Sequence, residues 1–229
     1  MIESHVYPPG FGGQHRAPLA VLSDRHAEIL GELEAIFLED GFRKPTIEAL
    51  AATAKCSRRT LYEIAPTKGE MFLRVVDRIM GRLDQTAQKA LNSGADPVSK
   101  IEKILSSSVT AFHPAGGAFA TDLVGYEPAR LLFNHYTERL RGSLIRIVRQ
   151  GVASGALRDV EPDVVAEVII VVSRQVTHPD FLSRTGMSPA DALAALFNFL
   201  RRGFLPGTDL PPDLQNHYVG VPFTEGEKQ

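Results

Sequence analysis

Residues 41–72 read GFRKPTIEALAATAKCSRRTLYEIAPTKGEMF and contain the most informative pattern in the chain. After Thr46, a good helix N-cap, apolar residues recur at helical spacing and predict a short helix with one apolar stripe, formed by Ile47, Leu50, Ala51 and Ala54. The pattern breaks over residues 55–57, and Ser57 is a suitable N-cap for a second short helix over 58–64. Two short helices across a tight turn, the second beginning with paired arginines, are the layout of a helix-turn-helix DNA reader.

Longer helices are predicted on both sides of this pair. Thr67 and Glu70 form a capping box that opens a helix running to about residue 90. Upstream, apolar residues at helical spacing predict a helix over 23–40, and Gly41 follows it as a left-handed stop. The upstream helix and the reader pair would together form an N-terminal three-helix domain.

At these residues the sequence resembles the tetracycline-repressor-like (TetR) family of bacterial transcriptional regulators. The tripeptide Thr60-Leu61-Tyr62 followed by Lys68 is a fairly specific match. The resemblance is close over residues 23–72 and continues beyond them only as a helical layout. The other matching positions are Gly41, Phe42, Thr46, Ile47, Leu50, Ala51, Ala54, Ser57, Met71 and Phe72.

The resemblance implies an all-α fold of about nine helices, in agreement with the apolar periodicity. A helix-turn-helix DNA-binding domain would cover residues 21–68, and a helical ligand-binding and dimerisation domain would cover 69–205. A flexible arm at 1–20 and an irregular tail at 206–229 are expected from their Pro and Gly content. The implied function is that of a ligand-responsive regulator, in this family most often a repressor, which binds a palindromic operator as a dimer and is released by a small molecule.

Candidate DNA-binding residues follow from the second helix of the reader, which would enter the major groove of double-stranded DNA. Arg58 and Arg59 are expected to contact bases or phosphates, since a guanidinium can pair bidentately with guanine. Phosphate contacts are expected from Thr46, Thr60, Tyr62 and Lys68.

Three positions depart from the family pattern. Lys55 stands where the family has its turn glycine, and a left-handed backbone would cost a non-glycine residue roughly 1 kcal/mol. Ile64 and Ala65 replace residues that are usually aromatic. These departures motivate a second hypothesis, an interaction protein with a degraded helix-turn-helix that does not bind DNA, whereas the retained Arg58 and Arg59 favour DNA binding.

Two helices near the C-terminus predict a homodimer. The segment 162–177 is apolar around most of its circumference, and the segment 188–204 carries two apolar stripes. A helix with one solvent-exposed face would carry polar residues along that face, so burial on two sides is expected for these helices. Four such helices, two from each chain, could form an isologous bundle. A monomeric core with a poorly covered helix is the alternative.

The resemblance also implies a ligand cavity among the C-terminal helices, between the helix after Lys68 and the one after Pro128. A mostly apolar small-molecule effector is expected there. An ordinary packed core would explain the aromatic candidates for its lining equally well; they are Phe112, Phe119, Tyr126, Phe133 and Tyr136.

Charge is distributed unevenly along the chain. Its 229 residues carry a formal net charge of −2, which by itself does not indicate nucleic-acid binding. Between residues 41 and 75, seven Lys or Arg accompany three Glu, which leaves a local charge of +4. A basic segment in a mildly acidic chain fits a small DNA-reading domain joined to a larger domain. A solvated basic face is the alternative.

No motif makes a positive case for an enzyme, a cofactor or a metal site. The seven histidines show no HxxxH spacing, and there is no CxxC, GxGxxG, P-loop or nucleophile elbow. His113 and His135 could meet near Asp122 and Glu127, but helix-end and surface roles compete with that interpretation.

The single cysteine, Cys56, excludes an intramolecular disulfide and is compatible with a reducing cytoplasm. It lies in the reader turn without a His–acid pattern around it, so a core role is expected. The longest apolar run, 164–172, is far shorter than the ~20 residues of a membrane helix. These observations predict a cytoplasmic protein that does not span a membrane.

Overall fold

The computed structural model describes residues 23–204, the last four by their backbone only, and this range forms ten α-helices. They are α1 (Asp24–Asp40), α2 (Ile47–Thr53), α3 (Arg58–Ile64), α4 (Lys68–Asn92), α5 (Pro97–Phe112), α6 (Gly117–Gly125), α7 (Glu127–Ala153), α8 (Pro162–Val176), α9 (Pro179–Thr185) and α10 (Pro189–Phe204). The all-α prediction is confirmed. The predicted arm at 1–20 and tail at 206–229 lie outside the described residues.

Five helix starts agree with the sequence because each of them is marked by a capping side chain. In five helices the N-cap side chain accepts a hydrogen bond from the backbone N–H three residues later, which satisfies one donor of the open first turn. These caps are Ser23, Thr46, Ser57, Thr67 and Asp96.

The helix that the sequence did not predict is α9, which has only seven residues. His178 caps it by accepting a hydrogen bond from the N–H of Asp180 at 3.3 Å, and Pro179 occupies its first turn. Gly186 ends it with a left-handed φ of 70°. The residues that begin and end this helix were visible in the sequence, but a helix of this length is too short to show an apolar period.

A continuous aromatic core joins the reader helices to the helices behind them. Phe42, just after α1, stacks on Phe72 of α4 with ring centroids 4.5 Å apart. Phe72 also meets Phe37 of α1 at 6.0 Å and Phe119 of α6 at 5.7 Å. A second core lies between the far half of α4 and helices α5, α7, α8 and α10. The long helix α4 therefore contributes to both cores.

The reader turn forms despite its departures from the family pattern. Lys55 has a φ of 49°, so the left-handed backbone expected at the family's glycine position is confirmed. Ile64 and Ala65 are both buried in the core, where aliphatic groups occupy the space below α3. The conformational strain of the turn is thus concentrated at Lys55, the non-glycine residue with a positive φ.

Replacing Lys55 by Gly is expected to stabilise the protein by about 0.5–1 kcal/mol, because glycine adopts positive φ without the steric penalty of a Cβ. For a chain of this size that gain corresponds to a Tm increase of roughly 1–4 °C, measurable by thermal unfolding. Lys89→Gly, in the regular helix α4, is the matched control and should lower the Tm. Equal destabilisation by both changes would contradict strain at Lys55.

Candidate nucleic-acid interface and ligand cavity

Helices α2 and α3 are fixed across their turn by backbone contacts. The N–H of Cys56 donates to the carbonyl of Ala51 at 3.0 Å, and the Arg25 guanidinium of α1 donates to the carbonyl of Lys55 at 3.2 Å. The Cys56 side chain is half-buried and packs against the core, and this burial raises the pKa of its thiol. A thiol that is harder to ionise agrees with a packing role.

The outer face of α3 presents Arg58, Arg59 and Tyr62 to solvent. Each arginine already has an acidic neighbour: Arg58 contacts Glu48 at 3.0 Å, and Arg59 contacts Glu63 at 3.1 Å. Exposed ion pairs of this kind contribute only about 0.2–1 kcal/mol. Both guanidinium groups can therefore exchange these partners for phosphate or base atoms at a small cost.

The remaining candidate DNA contacts have structural partners. Thr46 caps α2 by accepting from the N–H of Ala49 at 3.1 Å, and the hydroxyls of Thr60 and Ser57 lie 2.9 Å apart. Lys68 Nζ donates to the carbonyls of Arg43 and Pro45, both at 2.9 Å. Lys68 thus supports the loop between α1 and α2.

That loop is also bound from the opposite side by a buried carboxylate. Asp122 of α6 accepts hydrogen bonds from the backbone N–H groups of Phe42 at 2.6 Å and Arg43 at 3.2 Å, and its second oxygen lies 3.5 Å from Arg43 Nε. Its side chain is only 7% exposed. We call Asp122 and these two amides the Asp122 clamp. A Cβ on Gly41 would lie 2.5 Å from the same carboxylate, so the clamp requires a glycine there.

Both ends of α6 make further contacts with the reader. Before its first turn, the N–H of Gly116 donates to the carbonyl of Leu38 at 2.8 Å, and a Cβ on Gly116 would lie 2.8 Å from the carbonyl oxygen of Glu39. At its last residue, the carbonyl of Gly125 accepts from the Arg43 guanidinium at 3.1 Å. A displacement of α6 would therefore be transmitted to the end of α1 and to the loop before α2.

The opposite side of α6 forms one wall of a cavity of about 460 Å³. The other walls come from α4, α5, α7, α8 and α10. Most of the lining is apolar; from α6 it includes Phe119, Ala120, Leu123 and Val124. A volume of this size and chemistry is typical of small-molecule sites. One short helix thus lines a cavity with one face and contacts the helix-turn-helix with the other.

Of the five aromatic residues proposed for the ligand site, Phe112, Phe119 and Phe133 line this cavity. Tyr126 lies outside it and packs against Phe42, with ring centroids 5.3 Å apart, at the junction with the reader. Tyr136 also lies outside, because the face of α7 that carries it turns towards α4, where its hydroxyl donates to Asp77 at 2.8 Å.

Sequence reasoning missed the polar residues of the cavity and the role of Asp122. Arg130 and Asn134 line the cavity from α7, and Arg174 and His178 line it from the end of α8 and just beyond. The spacing of Arg130 and Asn134 was a usable indication, since residues four apart on one helix share a face. His178 lies beyond the end of α8, so no helical spacing relates it to Arg174. An acidic residue within the otherwise apolar segment of α6 was the corresponding indication for Asp122.

Several large apolar side chains of the described chain face outward on α8 and α10. Val164 is 58% exposed and Phe199 is 74% exposed, with Val168 and Val171 also open to solvent. Patches of apolar side chains on a soluble protein commonly mark a protein–protein interface.

Residues 23–204 contain neither a metal-binding cluster nor a membrane span. No three His, Cys, Asp or Glu side chains come together in this range as a metal site would require, and the possible meeting of His113 and His135 does not form one. No helix in the same range has the length and apolarity to cross a membrane.

Comparison with known proteins gives matches in sequence family and in fold. Residues 109–196 match the family described as the tetracyclin repressor-like C-terminal domain. No curated protein matches the chain in sequence.

Among solved structures, one described as a putative transcriptional regulator from Saccharomonospora viridis in complex with choline has a TM-score of 0.65 at 16% identity and covers 81% of this chain and 100% of its own. The TetR family regulator PfmR from Thermus thermophilus has a TM-score of 0.56 at 22% identity, covering 80% and 99%. The ketosteroid regulator KstR2 of Mycobacterium tuberculosis has a TM-score of 0.55 at 19% identity, covering 81% and 97%.

The predicted resemblance to the tetracycline-repressor-like regulators is confirmed, by family over residues 109–196 and by fold over the described chain. Regulators of this family are transcription factors and not enzymes. The family match and the fold support a DNA-binding transcriptional regulator.

Proposed function

We propose that the protein is a ligand-responsive repressor that binds a palindromic operator as a homodimer and is released when a small molecule occupies the cavity. The observation that carries this proposal is the Asp122 clamp, because it joins a wall of the cavity to the loop that precedes the reader pair. The choline complex of the S. viridis regulator supports a small-molecule response in a protein of this fold.

Release requires two conformations of the dimer that differ in the spacing of the two helix-turn-helix units. The ligand must bind more tightly to the conformation that does not fit the operator. A ligand in the cavity would press on Phe119 and Ala120 of α6. Because Asp122 lies on the same helix, its shift would move the amides of Phe42 and Arg43 and so tilt α2 and α3. In this account the spacing of the two readers in the dimer changes, and the operator no longer fits.

The exposed apolar faces of α8 and α10 support the homodimer. Residues 162–177 and 188–204 of two chains would pack as a four-helix bundle and cover Val164, Val168 and Phe199. A two-fold axis through this bundle would place one reader on each half of a palindrome, with half-sites roughly 34 Å or a multiple apart.

In the proposed complex α3 enters the major groove, where Arg58 and Arg59 leave their glutamate partners for bases or phosphates. Thr46, Thr60 and Tyr62 contact phosphates. Lys68 has three donors, of which two bind carbonyls, so its third remains for a phosphate. Residues 21–68 act as the DNA-binding domain and 69–205 as the ligand and dimerisation domain, in the cytoplasm.

One observation favours the second candidate, a regulator-like interaction protein that does not bind DNA. Glu48 and Glu63 neutralise the two arginines of the reading helix and bring negative charge to the DNA-facing surface. Against it stand the intact turn at Lys55 and the buried Ile64 and Ala65, which show that the departures from the family pattern leave the reader folded.

Replacing Arg59 by Ala is expected to weaken specific operator binding by about 1–3 kcal/mol if the guanidinium pairs with a base. Fluorescence anisotropy with operator and scrambled DNA of equal length would measure both affinities. The matched control is Arg149→Ala, whose exposed guanidinium lies far along α7 beside Asp163. Equal losses on both DNAs would assign Arg59 to phosphate, and no loss on either would remove it from the interface.

A paired screen tests the ligand response. Each compound is measured for thermal stabilisation of the free protein and for release of the operator. The proposal predicts that compounds which stabilise the wild type also release DNA, and that Ser108→Phe, which adds a ring to the cavity lining, abolishes both effects. Stabilising compounds that leave DNA affinity unchanged would contradict ligand-controlled release.

A further inference from the structure

Four polar residues of the cavity lining lie at the start of α7 and around the end of α8, and we call them the polar end: Arg130, Asn134, Arg174 and His178. Helices α7 and α8 run antiparallel, as the ion pairs of Arg141 with Glu167 and of Arg149 with Asp163 show.

The antiparallel packing brings the start of α7 beside the end of α8. Counted from the Arg141–Glu167 pair, Asn134 lies two turns towards the start of α7, and Arg174 lies two turns towards the end of α8. Arg130 is one turn before Asn134, and His178 lies just beyond the last residue of α8, Val176. The remainder of the lining is dominated by leucine, isoleucine and phenylalanine side chains from six helices, so the cavity has an apolar body and one polar end.

The charge at the polar end is positive. The cavity lining includes two arginines and His178 but no aspartate or glutamate. Two acidic groups are nearby and largely exposed: Glu127 forms a long ion pair with Arg130 at 3.9 Å, and Asp180 lies 3.5 Å from the His178 ring. Within the described part of the chain no carboxylate pairs with the Arg174 guanidinium. An anionic group at this position would therefore meet the Arg174 guanidinium and an Arg130 guanidinium whose only carboxylate neighbour in the described chain is exposed and 3.9 Å away.

The Asn134 amide is a second and independent indication of a ligand at the same position. Its Oδ1 atom is buried and receives no hydrogen bond from the described residues. Buried polar atoms in proteins are normally satisfied, and an exception calls for a specific explanation, one of which is a partner from outside the chain. A half-turn of the amide about χ2 would exchange Oδ1 for Nδ2 and present a donor to an anionic oxygen.

From these observations we infer that the cavity binds an amphipathic carboxylate, with its apolar chain in the body and its carboxylate between Arg130 and Arg174, and with Asn134 donating to one oxygen. This inference names the effector class for the site of the proposed function and rests on that site being a ligand cavity. At roughly 30 Å³ per small group, 460 Å³ accommodates about 15 non-hydrogen atoms. A saturated carboxylate of about twelve carbons has that size.

Three probes with the same apolar chain separate the head groups: dodecanoate, dodecanol and dodecyltrimethylammonium. Calorimetric titration of the full chain without DNA, below the micelle concentration of each probe, gives their Kd values. The expected order is dodecanoate tighter than dodecanol by about 10- to 100-fold, because charge-assisted hydrogen bonds contribute about that factor, and the cation weakest. Equal affinities, a preference for the cation, or no binding by any of the three would overturn the inference.

Variants then locate the head group. The double change Arg130→Gln with Arg174→Gln should weaken dodecanoate binding by about 10-fold or more and leave dodecanol unchanged. Arg146→Gln is the matched control, since Arg146 is on the same helix outside the lining and donates to the carbonyl of Gly142 at 3.2 Å. An undiminished dodecanoate affinity in the double variant, or an equal loss in the control, would overturn the assignment.

Failure of this inference and failure of the proposed function give different results. The titrations contain no DNA, so they report the head-group preference whether or not the protein is a repressor. Conversely, dodecanoate binding that depends on both arginines would establish the ligand class. If the complex with dodecanoate still bound its operator, that result would refute ligand-controlled release and leave the ligand class intact.

Discussion

Replacing Asp122 by Ala is expected to lower the free energy of unfolding by about 2–4 kcal/mol, because two backbone amides lose a charged acceptor at a buried site. The carboxylate is almost fully buried and binds the N–H groups of Phe42 and Arg43. Urea unfolding followed by circular dichroism would measure the loss. Asp180→Ala, at an exposed carboxylate on α9, is the control and should change stability by no more than about 0.5 kcal/mol.

The same position also tests the proposed path of release. Asp122→Asn keeps an acceptor oxygen for the Phe42 amide and loses the ion pair with Arg43, so it should be less damaging than Asp122→Ala. We expect the Asn variant to bind operator DNA but to respond more weakly to a cavity ligand, because α6 is joined less firmly to the reader. The role of the clamp would be contradicted if Asp122→Ala unfolded with the same free energy as the wild type. It would also be contradicted if a cavity ligand released Asp122→Asn from the operator as readily as it releases the wild type.

Replacing Val168 by Glu is expected to convert the protein to monomers and to weaken operator binding by about 100-fold or more, because a monomer has only one reader and loses the gain from linked binding to the second half-site. Val168 lies on the exposed apolar face of α8, and in an isologous interface each substitution occurs twice. Two carboxylates would then be desolvated near the two-fold axis without a cationic partner.

Sedimentation equilibrium would give the mass of this variant, and anisotropy its operator affinity. Leu131→Glu is the matched control, since Leu131 is an exposed apolar residue on α7 and not on α8 or α10. It should remain dimeric and bind the operator normally. A dimeric Val168→Glu protein would contradict the α8–α10 interface, and a wild-type protein that is monomeric at micromolar concentration would contradict the dimer altogether.

Sequence reasoning succeeded where the determining interactions are local. The start of each capped helix could be predicted because Ser57, Thr67 or Asp96 bonds to an amide only three residues away. The strained turn could be predicted in the same way, since the backbone at Lys55 depends on its immediate neighbours.

The site was harder to predict because it depends on contacts between residues that are distant in the chain. Phe112 and Phe133 line the cavity whereas Tyr136 does not, and the difference arises from the rotation of α7 against α4. Asp122 meets Phe42 across 80 positions of sequence, and no local pattern indicates such a pairing. For Asp122 the indication in the sequence is its residue type, an acid within the otherwise apolar segment of α6.

The central claim, that this is a sequence-specific DNA-binding regulator, is tested most directly by titrating the purified full chain against its own upstream DNA and against random DNA. The account predicts a specific site above a non-specific background. Both affinities should fall by about 10³-fold or more between roughly 50 and 200 mM salt, as expected for a dimer that neutralises about six or more phosphates. If the protein binds neither the upstream DNA nor the random DNA at the lower salt concentration, the account is contradicted.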